Sequence, residues 1–264
     1  MIHKTAIIEP GAQLGSNVAV GPYAYIEGDV TIGDGCVLGP HVTILRYTTL
    51  GANCQVHANA VLGDVAQDLG YKDARSYVRI GAGCTIREGV TVHRGTKPES
   101  VTELGDGCFM MAYSHFAHNV KCGRNVIVAN GALLAGYVEV GDRAFISGNV
   151  VIHQLVRIGR IAMLGGDAAV SKDVPPFCTV RPAAVNKVLS PNIVGLRRAG
   201  FSLNQREEVR QTFKMLYRSG LNITQALAKI RATFPTGPAI EMADFIEASR
   251  RGVCGFEEGE EPEE

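Results

Sequence analysis

The amino-acid sequence predicts an all-β left-handed parallel β-helix built from hexapeptide repeats, followed by an α-helical C-terminal domain. Two observations lead to this prediction. An aliphatic residue recurs every six positions from Ile8 to Val170, and Gly or Asn is concentrated three positions after it. A six-residue period fits neither a heptad nor an α-helical repeat, so a helical solenoid is excluded for this region. Three hexads close one triangular coil, and successive coils stack as parallel strands about 4.8 Å apart.

The hexads are counted with Ile8 in the first position. Of 25 first positions, 22 hold Ile, Leu or Val, and the fifth position holds small or β-branched residues, so both are expected to face the core. The fourth position is Gly or Asn in 13 hexads, and these two residues adopt a positive φ at least cost. Left-handed turns are therefore predicted at positions 11, 17, 35, 53, 59, 83, 89, 95, 107, 119, 125, 131 and 149.

Two polar excursions interrupt the coils without disturbing the hexad phase, near 66–78 and 96–102. Loops that interrupt a rigid repeat are where binding residues tend to lie. The β-helix is expected over 1–186 and the helical domain over 187–256, ahead of an acidic disordered tail over 257–264. An apolar helical period predicts helices at about 192–200, 204–218, 223–233 and 238–251.

Composition narrows the class of protein. The 264 residues include 26 basic and 26 acidic side chains, so overall charge gives no case for nucleic-acid binding. With no leader pattern and no membrane-length apolar run, a cytoplasmic protein without a transmembrane segment is expected. The seven cysteines form no CxxC pair, and reduced thiols are expected. Four of them, Cys36, Cys54, Cys84 and Cys108, occupy the inward fifth position and are interpreted as core fillers in preference to metal ligands.

Stacked coils place residues 18 apart above one another, which predicts columns of side chains. Two columns alternate in charge: Arg124, Asp142 and Arg160, and Lys121, Glu139 and Arg157. They are interpreted as salt-bridge ladders on a solvated face, with a docking patch for an acidic partner as the alternative.

A third column, His118, Gly136 and Gln154, consists of turn residues whose side chains should point outward. A histidine is suited to proton transfer near neutral pH, and a glycine leaves its backbone N–H open to a substrate oxygen. His115 lies one hexad before His118, and His153 flanks Gln154. The group is typical of an acyl-transfer site, although ordinary polar residues at a corner would give the same pattern.

Several short motifs resemble those of one enzyme family. They are Gln67-Asp68-Leu69, His93-Arg94-Gly95-Thr96, His115-Phe116-Ala117-His118, Leu134-Ala135-Gly136, His153-Gln154, Asp173-Val174-Pro175-Pro176 and Gly195-Leu196-Arg197-Arg198. In combination they resemble UDP-N-acetylglucosamine O-acyltransferase, the first enzyme of lipid A synthesis, and the resemblance covers nearly the whole chain.

The resemblance implies a cytoplasmic homotrimer with its active sites between neighbouring β-helices. The implied reaction transfers a 3-hydroxyacyl group from acyl carrier protein to the 3-hydroxyl of UDP-N-acetylglucosamine. No metal and no bound cofactor are implied, because the phosphopantetheine arm of the acyl carrier protein arrives with the substrate.

The resemblance also implies roles for individual residues. His118 matches the general base, Gly136 the backbone oxyanion donor, and Asn119 stands where the family usually has the aspartate that follows the base. The implied substrate-binding residues are Gln67, Asp68, His115, His153, Gln154, Asn192 and Arg198. Gly166 and Met163 are expected to act as the acyl-chain ruler, and glycine at 166 favours a long chain.

The chain departs from the family pattern at four positions, which hold Asn119, Tyr137, Gly70 and Val194 in place of Asp, His, Lys and Glu respectively. Three alternatives stay open at this level. One is an N-acyltransferase acting on an amino UDP-sugar, and another is a non-catalytic scaffold. The third is a hexapeptide-repeat zinc enzyme resembling carbonic anhydrase, which the histidines at 57, 93, 115, 118 and 153 bring into consideration.

Overall fold

The computed structural model describes residues 1–256, and the predicted acidic tail at 257–264 lies outside them. The fold is a left-handed parallel β-helix with a helical C-terminal region, as predicted. Its first strands are β1 (Ile7–Ile8), β2 (Gln13–Leu14), β3 (Ala19–Val20), β4 (Tyr25–Ile26), β5 (Thr31–Ile32), β6 (Val37–Leu38), β7 (Thr43–Ile44), β8 (Thr48–Leu50), β9 (Gln55–Val56) and β10 (Val61–Asp64).

The later strands continue the coil and then close its end. They are β11 (Tyr77–Ile80), β12 (Thr85–Ile86), β13 (Thr91–His93), β14 (Val101–Leu104), β15 (Phe109–Met110), β16 (His115–Phe116), β17 (Lys121–Cys122), β18 (Ile127–Val128), β19 (Leu133–Leu134), β20 (Glu139–Val140), β21 (Phe145–Ile146), β22 (Val151–Ile152), β23 (Arg157–Ile158), β24 (Met163–Leu164), β25 (Ala169–Val170), β26 (Cys178–Val180), β27 (Lys187–Pro191) and β28 (Gly255–Phe256).

Along the β-helix every third strand belongs to the same sheet, so three sheets of parallel strands form the faces of a triangular prism. The offset between paired strands is 18 residues in undisturbed coils, as in the pairing of Glu139 with Arg157. It becomes 30 across the first excursion, where Val61 pairs with Thr91. It becomes 24 across the second, where Thr91 pairs with His115. The excursions therefore add 12 and 6 residues, both multiples of six, which is why the hexad phase survives them.

First- and fifth-position side chains fill the interior. Ile26, Ile44, Leu62, Phe116 and Leu134 form one such stack and have no exposed surface. Burial of a side chain of this size contributes about 1.5–3 kcal/mol to folding, so each coil adds a stabilising layer to the core.

The predicted left-handed turns are confirmed at 12 of the 13 Gly or Asn positions, for example Asn119 with φ of 61°. The exception is Gly95, whose φ is not positive. There an added Cβ would lie 2.2 Å from Ser100 Oγ and 2.9 Å from Asn119 Nδ2, so glycine is needed for space and not for its backbone conformation. Bulkier residues also adopt a positive φ at the fourth position, including Tyr137 at 60° and Leu155 at 65°.

The charge ladders are confirmed in part. Arg124 Nη2 lies 3.2 Å from Asp142 Oδ2, and Arg157 Nε lies 3.8 Å from Glu139 Oε2. The prediction was wrong for Arg160, whose guanidinium pairs with a carboxylate of the C-terminal region instead of continuing its ladder. A helix packs over this corner and supplies a closer acid than the column does.

The buried cysteines behave as core fillers. Cys36, Cys54, Cys84 and Cys108 stack one per coil, and each thiol donates a hydrogen bond at 3.1–3.2 Å to a glycine carbonyl of the next coil. A side-chain hydrogen bond with Cys108 and burial raise the pKa of Cys84 to about 11. These groups therefore stay protonated near neutral pH, whereas a metal ligand has to be a thiolate.

The C-terminal region contains helices α1 (Ile193–Arg198), α2 (Leu203–Tyr217), α3 (Ile223–Thr233) and α4 (Pro238–Glu247), close to the predicted segments. Asn222 caps α3, in a reciprocal arrangement with Gln225. The prediction extended the last helix to 251, but α4 ends at Glu247 because the following backbone turns to bond with Asp173 on the β-helix. This region also contributes β27 and β28, which extend one sheet of the β-helix.

The C-terminal region packs directly on the later coils. Arg160 of the β-helix pairs with Glu241 of α4, and its guanidinium lies 4.8 Å from the Phe177 ring centroid. Arg157 lies over Phe245 of α4 at 4.3 Å. Within residues 1–256, no helix has the length and apolar content needed to cross a membrane.

Candidate active site

The residues of the predicted third column, His118, Gly136 and Gln154, lie on successive coils. Tyr137 N donates to His118 O at 3.1 Å, and Leu155 N donates to Gly136 O at 3.0 Å, so each turn lies on the one before it. In each hexad the first-position side chain is buried in the core. The third position lies in the turn that follows, at an outer corner of the β-helix. The repeat therefore brings His118 and Gly136 together, with Gln154 one coil further on.

His118 is held in a nearly closed corner, with only 7% of its surface exposed. Its Nδ1 lies 3.1 Å from Asn119 Oδ1, and the Tyr137 ring stands edge-on at 5.3 Å between centroids. An amide oxygen can only accept a hydrogen bond, so Nδ1 carries the ring proton when the imidazole is neutral. The Nε2 atom then has a free lone pair, as a general base requires.

The Nε2 atom of His118 faces the first excursion. Asp68 Oδ2 lies 3.6 Å from Nε2, which is too long for a hydrogen bond but close enough for a charge interaction. Asp68 is held in this position because its Oδ1 accepts from Gly70 N at 2.7 Å. Gln67, the other residue predicted in this excursion, is exposed, and its side chain makes no hydrogen bond to any residue in 1–256.

Gly136 is packed against the His118 ring. A Cβ added at 136 would lie 2.3 Å from His118 Cε1 and 2.6 Å from Nε2, distances that real Cβ atoms do not reach. The Gly136 N–H donates to no acceptor among residues 1–256. A free backbone donor thus lies beside the candidate base, which is the arrangement that an oxyanion site requires.

His115 lies in β16, next to His93 on the adjacent strand β13. Its Nδ1 lies 2.7 Å from Thr91 Oγ1, and its ring stands edge-on to His93 at 5.0 Å. Burial, reinforced by the His93 and His118 charges, lowers the pKa of His115 to about 4. His115 is therefore neutral near pH 7 and can serve as a hydrogen-bonding group but not as a cation.

His153 and Gln154 are both exposed on the coil above Gly136. Arg251, from the segment after α4, approaches His153 and places its Nη2 3.2 Å from Nδ1. The Arg251 Nε donates to Ser171 O at 3.1 Å, which fixes the guanidinium beside the β-helix. This corner therefore carries a positive charge that the repeat alone did not predict.

Asn192 and Arg198 lie at opposite ends of α1. Asn192 caps the helix: its Oδ1 accepts from Gly195 N at 2.9 Å, and its Nδ2 donates to Ile161 O at 2.8 Å. Arg198 is exposed in the last turn. Both ends of the Asn192 amide are thus already engaged, while the Arg198 guanidinium is open to an anionic ligand. No hydrogen bond links either residue to His118 in the described chain.

The predicted ruler residues lie on the last coils. Met163 is half-buried in β24, and Gly166 is half-buried in the following turn. A Cβ added at Gly166 would meet only Gly148 O, at an ordinary 3.6 Å. The surface above Gly166 is therefore open, and glycine is present there without a packing reason.

The sequence alone gives no role to Thr96, which lies in the motif His93-Arg94-Gly95-Thr96. Thr96 opens the second excursion and contacts both Asn119 and Tyr137. Arg251 was also missed. In residues 1–256, no three His, Cys, Asp or Glu side chains converge in a way that could hold a metal ion.

Comparisons with known proteins agree with this architecture. A family model described as bacterial transferase hexapeptide (six repeats) matches residues 11–46, and one described as hexapeptide repeat of succinyl-transferase matches residues 29–64. These two matches cover residues 11–64 and indicate the class of hexapeptide-repeat transferases. A further model, UDP N-acetylglucosamine O-acyltransferase, domain 2, matches residues 173–254.

Full-length relatives narrow the class to one family. An acyl-[acyl-carrier-protein]–UDP-N-acetylglucosamine O-acyltransferase of Campylobacter concisus is 39% identical over 96% of both chains. The enzyme of that name from Paraburkholderia phymatum is 44% identical over 96% of this chain and 98% of its own. The solved UDP-N-acetylglucosamine acyltransferase of Bacteroides fragilis superposes with a TM-score of 0.92 at 38% identity, covering 96% of this chain and 99% of its own. The chain belongs to the UDP-N-acetylglucosamine O-acyltransferase family.

Proposed function

We propose that this protein transfers a 3-hydroxyacyl group from acyl carrier protein to the 3-hydroxyl of UDP-N-acetylglucosamine, with His118 as the general base. The observation that carries the proposal is the pairing of a buried imidazole, whose Nε2 lone pair is free, with the unbonded Gly136 N–H beside it. A group that can accept a proton and a free backbone donor therefore lie together on one corner of the β-helix, which supports the proposal.

In the proposed reaction, His118 Nε2 removes the proton from the sugar hydroxyl as its oxygen attacks the thioester carbonyl. The Gly136 N–H donates to the oxygen that becomes negative in the tetrahedral intermediate. The intermediate collapses, the carbon–sulfur bond breaks, and the imidazolium returns its proton to the thiolate of the carrier. The products are the acylated sugar nucleotide and free carrier thiol, and no other reactant is needed.

Neighbouring residues support this chemistry. The Asp68 carboxylate, 3.6 Å from Nε2, stabilises the imidazolium that forms during attack. We assign Gln67, Asp68 and His115 to the sugar and the acyl 3-hydroxyl, and His153 and Gln154 to the acyl and nucleotide groups. Arg198 is assigned to the nucleotide phosphates, which suit an exposed guanidinium. Asn192 reaches the nucleotide only if it gives up a capping hydrogen bond.

We further propose a cytoplasmic homotrimer that completes the site from a second copy. The first excursion supports an interface, because Leu69 at its tip is fully exposed and beside the Asp68 that faces the base. Burial of such a side chain against another copy would contribute about 1.5–3 kcal/mol per interface.

His118→Ala tests the proposed base. A positioned base typically contributes ~10²–10⁴ in rate. We therefore expect the rate of acyl transfer from acylated carrier protein to UDP-N-acetylglucosamine to fall by about that factor. Circular dichroism and the oligomeric state by light scattering are expected to stay unchanged. His57→Ala is the matched control, because that imidazole is partly exposed, lies 3.6 Å from Glu88 Oε1, and makes no side-chain hydrogen bond to any residue in 1–256. Turnover of His118→Ala close to that of the parent protein would refute the role of His118.

A further inference from the structure

The residue that orients the base is itself held by a chain of hydrogen bonds. Asn119 Oδ1 lies 3.1 Å from His118 Nδ1 and accepts from Thr96 twice, from the backbone N at 3.0 Å and from Oγ1 at 3.1 Å. Thr96 Oγ1 in turn lies 2.8 Å from Tyr137 OH. Side chains from successive coils are therefore linked to the imidazole.

The direction of each bond follows from the chemistry of the groups. The Thr96 backbone N–H can only donate, so the amide atom that faces it has to be oxygen. The Thr96 hydroxyl donates a hydrogen bond to the same oxygen, so Thr96 Oγ1 is the acceptor for the Tyr137 hydroxyl. The same oxygen accepts from His118 Nδ1, and the free lone pair is therefore on Nε2.

An asparagine at this position needs neighbours that fix which end of its amide faces His118, because the oxygen and the NH₂ group have nearly the same size. With the amide turned over, the Asn119 NH₂ would donate to His118 Nδ1, which would leave the proton on Nε2 and abolish the base. An aspartate has two equivalent oxygens, and either one accepts from Nδ1. Polar groups that fix the orientation of the side-chain amide are therefore needed around Asn119. An aspartate at this position would not need them.

We propose that Thr96 is a positioning residue that selects the amide orientation of Asn119 and, through it, the basic Nε2 form of His118. This inference rests on the proposed role of His118 as base. Thr102, at the other end of the second excursion, accepts from Asn119 N at 2.7 Å and fixes its backbone. Gly95 has no Cβ, which leaves room for the Asn119 amide. The second excursion thus holds Asn119 from both sides.

The test is a double-mutant cycle that combines Thr96→Val with Asn119→Asp. In the parent background, loss of the threonine hydroxyl is expected to lower kcat about three- to tenfold, the effect of one neutral hydrogen bond, while KM for both substrates changes less than about twofold. In the Asn119→Asp background the same substitution is expected to lower kcat less than about twofold, because a carboxylate needs no selection.

Three controls make the result specific. Thr96→Ser keeps the hydroxyl and is expected to retain kcat within about twofold. Thr85→Val is the matched threonine control, because Thr85 lies in β12 and its side chain makes no hydrogen bond within residues 1–256. Nitrogen-15 NMR of histidine-labelled protein, with His118→Gln for assignment, is expected to show His118 protonated at Nδ1 in the parent. Because Thr96→Val keeps only the backbone donor to Asn119 Oδ1, that variant is expected to show a detectable fraction protonated at Nε2.

The outcomes separate this inference from the proposed function. Equal losses of kcat for Thr96→Val in the parent and in the Asn119→Asp background would overturn selection of the amide and indicate a structural role. Full activity of Thr96→Val, or a parent His118 protonated at Nε2, would also overturn it. Equal losses, or full activity of Thr96→Val, leave His118 as base if His118→Ala is inactive, whereas a parent His118 protonated at Nε2, or an active His118→Ala, counts against the proposed base itself.

Discussion

Replacing Gly136 by alanine perturbs the close packing of the candidate base. The added Cβ would lie 2.3 Å from His118 Cε1, whereas carbon atoms in contact stay about 3.5–4.0 Å apart. Gly136 does not have a positive φ, so the backbone accepts alanine and the clash falls on the imidazole. The ring has to retreat by roughly 1 Å, away from any hydroxyl bound against Nε2.

A misplacement of that size typically costs about 10²-fold in rate, which corresponds to about 2.7 kcal/mol in the activation free energy. We expect kcat of Gly136→Ala to fall by this factor, and KM for the sugar nucleotide to change much less. The assay is the initial rate of acylated sugar nucleotide formation, followed by mass spectrometry at saturating acyl carrier protein. A thermal melt reports whether the coil is intact.

Gly148→Ala is the matched control, because Gly148 occupies the same third position of a later hexad and also lacks a positive φ. There an added Cβ would meet only Asn130 O, at 3.4 Å. Its activity is expected to stay within about twofold of the parent. If Gly136→Ala folds normally and keeps kcat within about threefold, the ring is not confined as the structure indicates, and the reasoning fails.

Two further predictions follow from the pKa of one histidine and the open turn above β24. His115, with a pKa lowered from 6.5 to about 4, binds its proton more weakly in the folded protein than in the unfolded chain, so stability is lost as pH falls through that window. When the pH falls from about 7.5 to 4.5, the free energy of unfolding of the parent should fall by about 2–3 kcal/mol more than that of His115→Asn. Urea denaturation at fixed protein concentration measures both values, and equal losses would contradict the lowered pKa of His115. Gly166→Leu is expected to fill the open turn and move the preference towards shorter acyl chains, measured with carrier proteins bearing chains of several lengths; an unchanged profile would exclude Gly166 as the ruler.

The hexad period predicted most of the fold because each coil repeats the same burial pattern. It placed Ile26 and Leu134 in the core, and it placed His118 beside Gly136 through simple stacking. It also predicted that Asn119 has a backbone reason to be asparagine, and φ of 61° confirms this. These features depend on local conformation and on one fixed spacing, which a sequence displays directly.

Contacts outside that spacing were not predictable. Thr96 meets Asn119 across 23 residues, because the second excursion changes the coil offset from 18 to 24. Arg251 reaches His153 across 98 residues, because the chain folds back after α4. The ladder prediction for Arg160 failed for the same reason: a helix packed over the column supplied a nearer acid. The hexad repeat thus predicts contacts between stacked coils, but not contacts with the excursions or with the C-terminal region that packs on the coils.

The lengths of the two excursions have a consequence for how such a chain can change. Adding 12 and 6 residues leaves every later side chain on its original face, much as an insertion of whole codons preserves a reading frame. One residue more or fewer within a regular coil would turn the hexads that follow, exposing their aliphatic positions and burying their polar ones. The excursions instead leave the coil and return to it in register, so that new side chains are added while the stacked faces are kept. Through the second excursion, Thr96 lies against Asn119 without any change in the stacking of the coils.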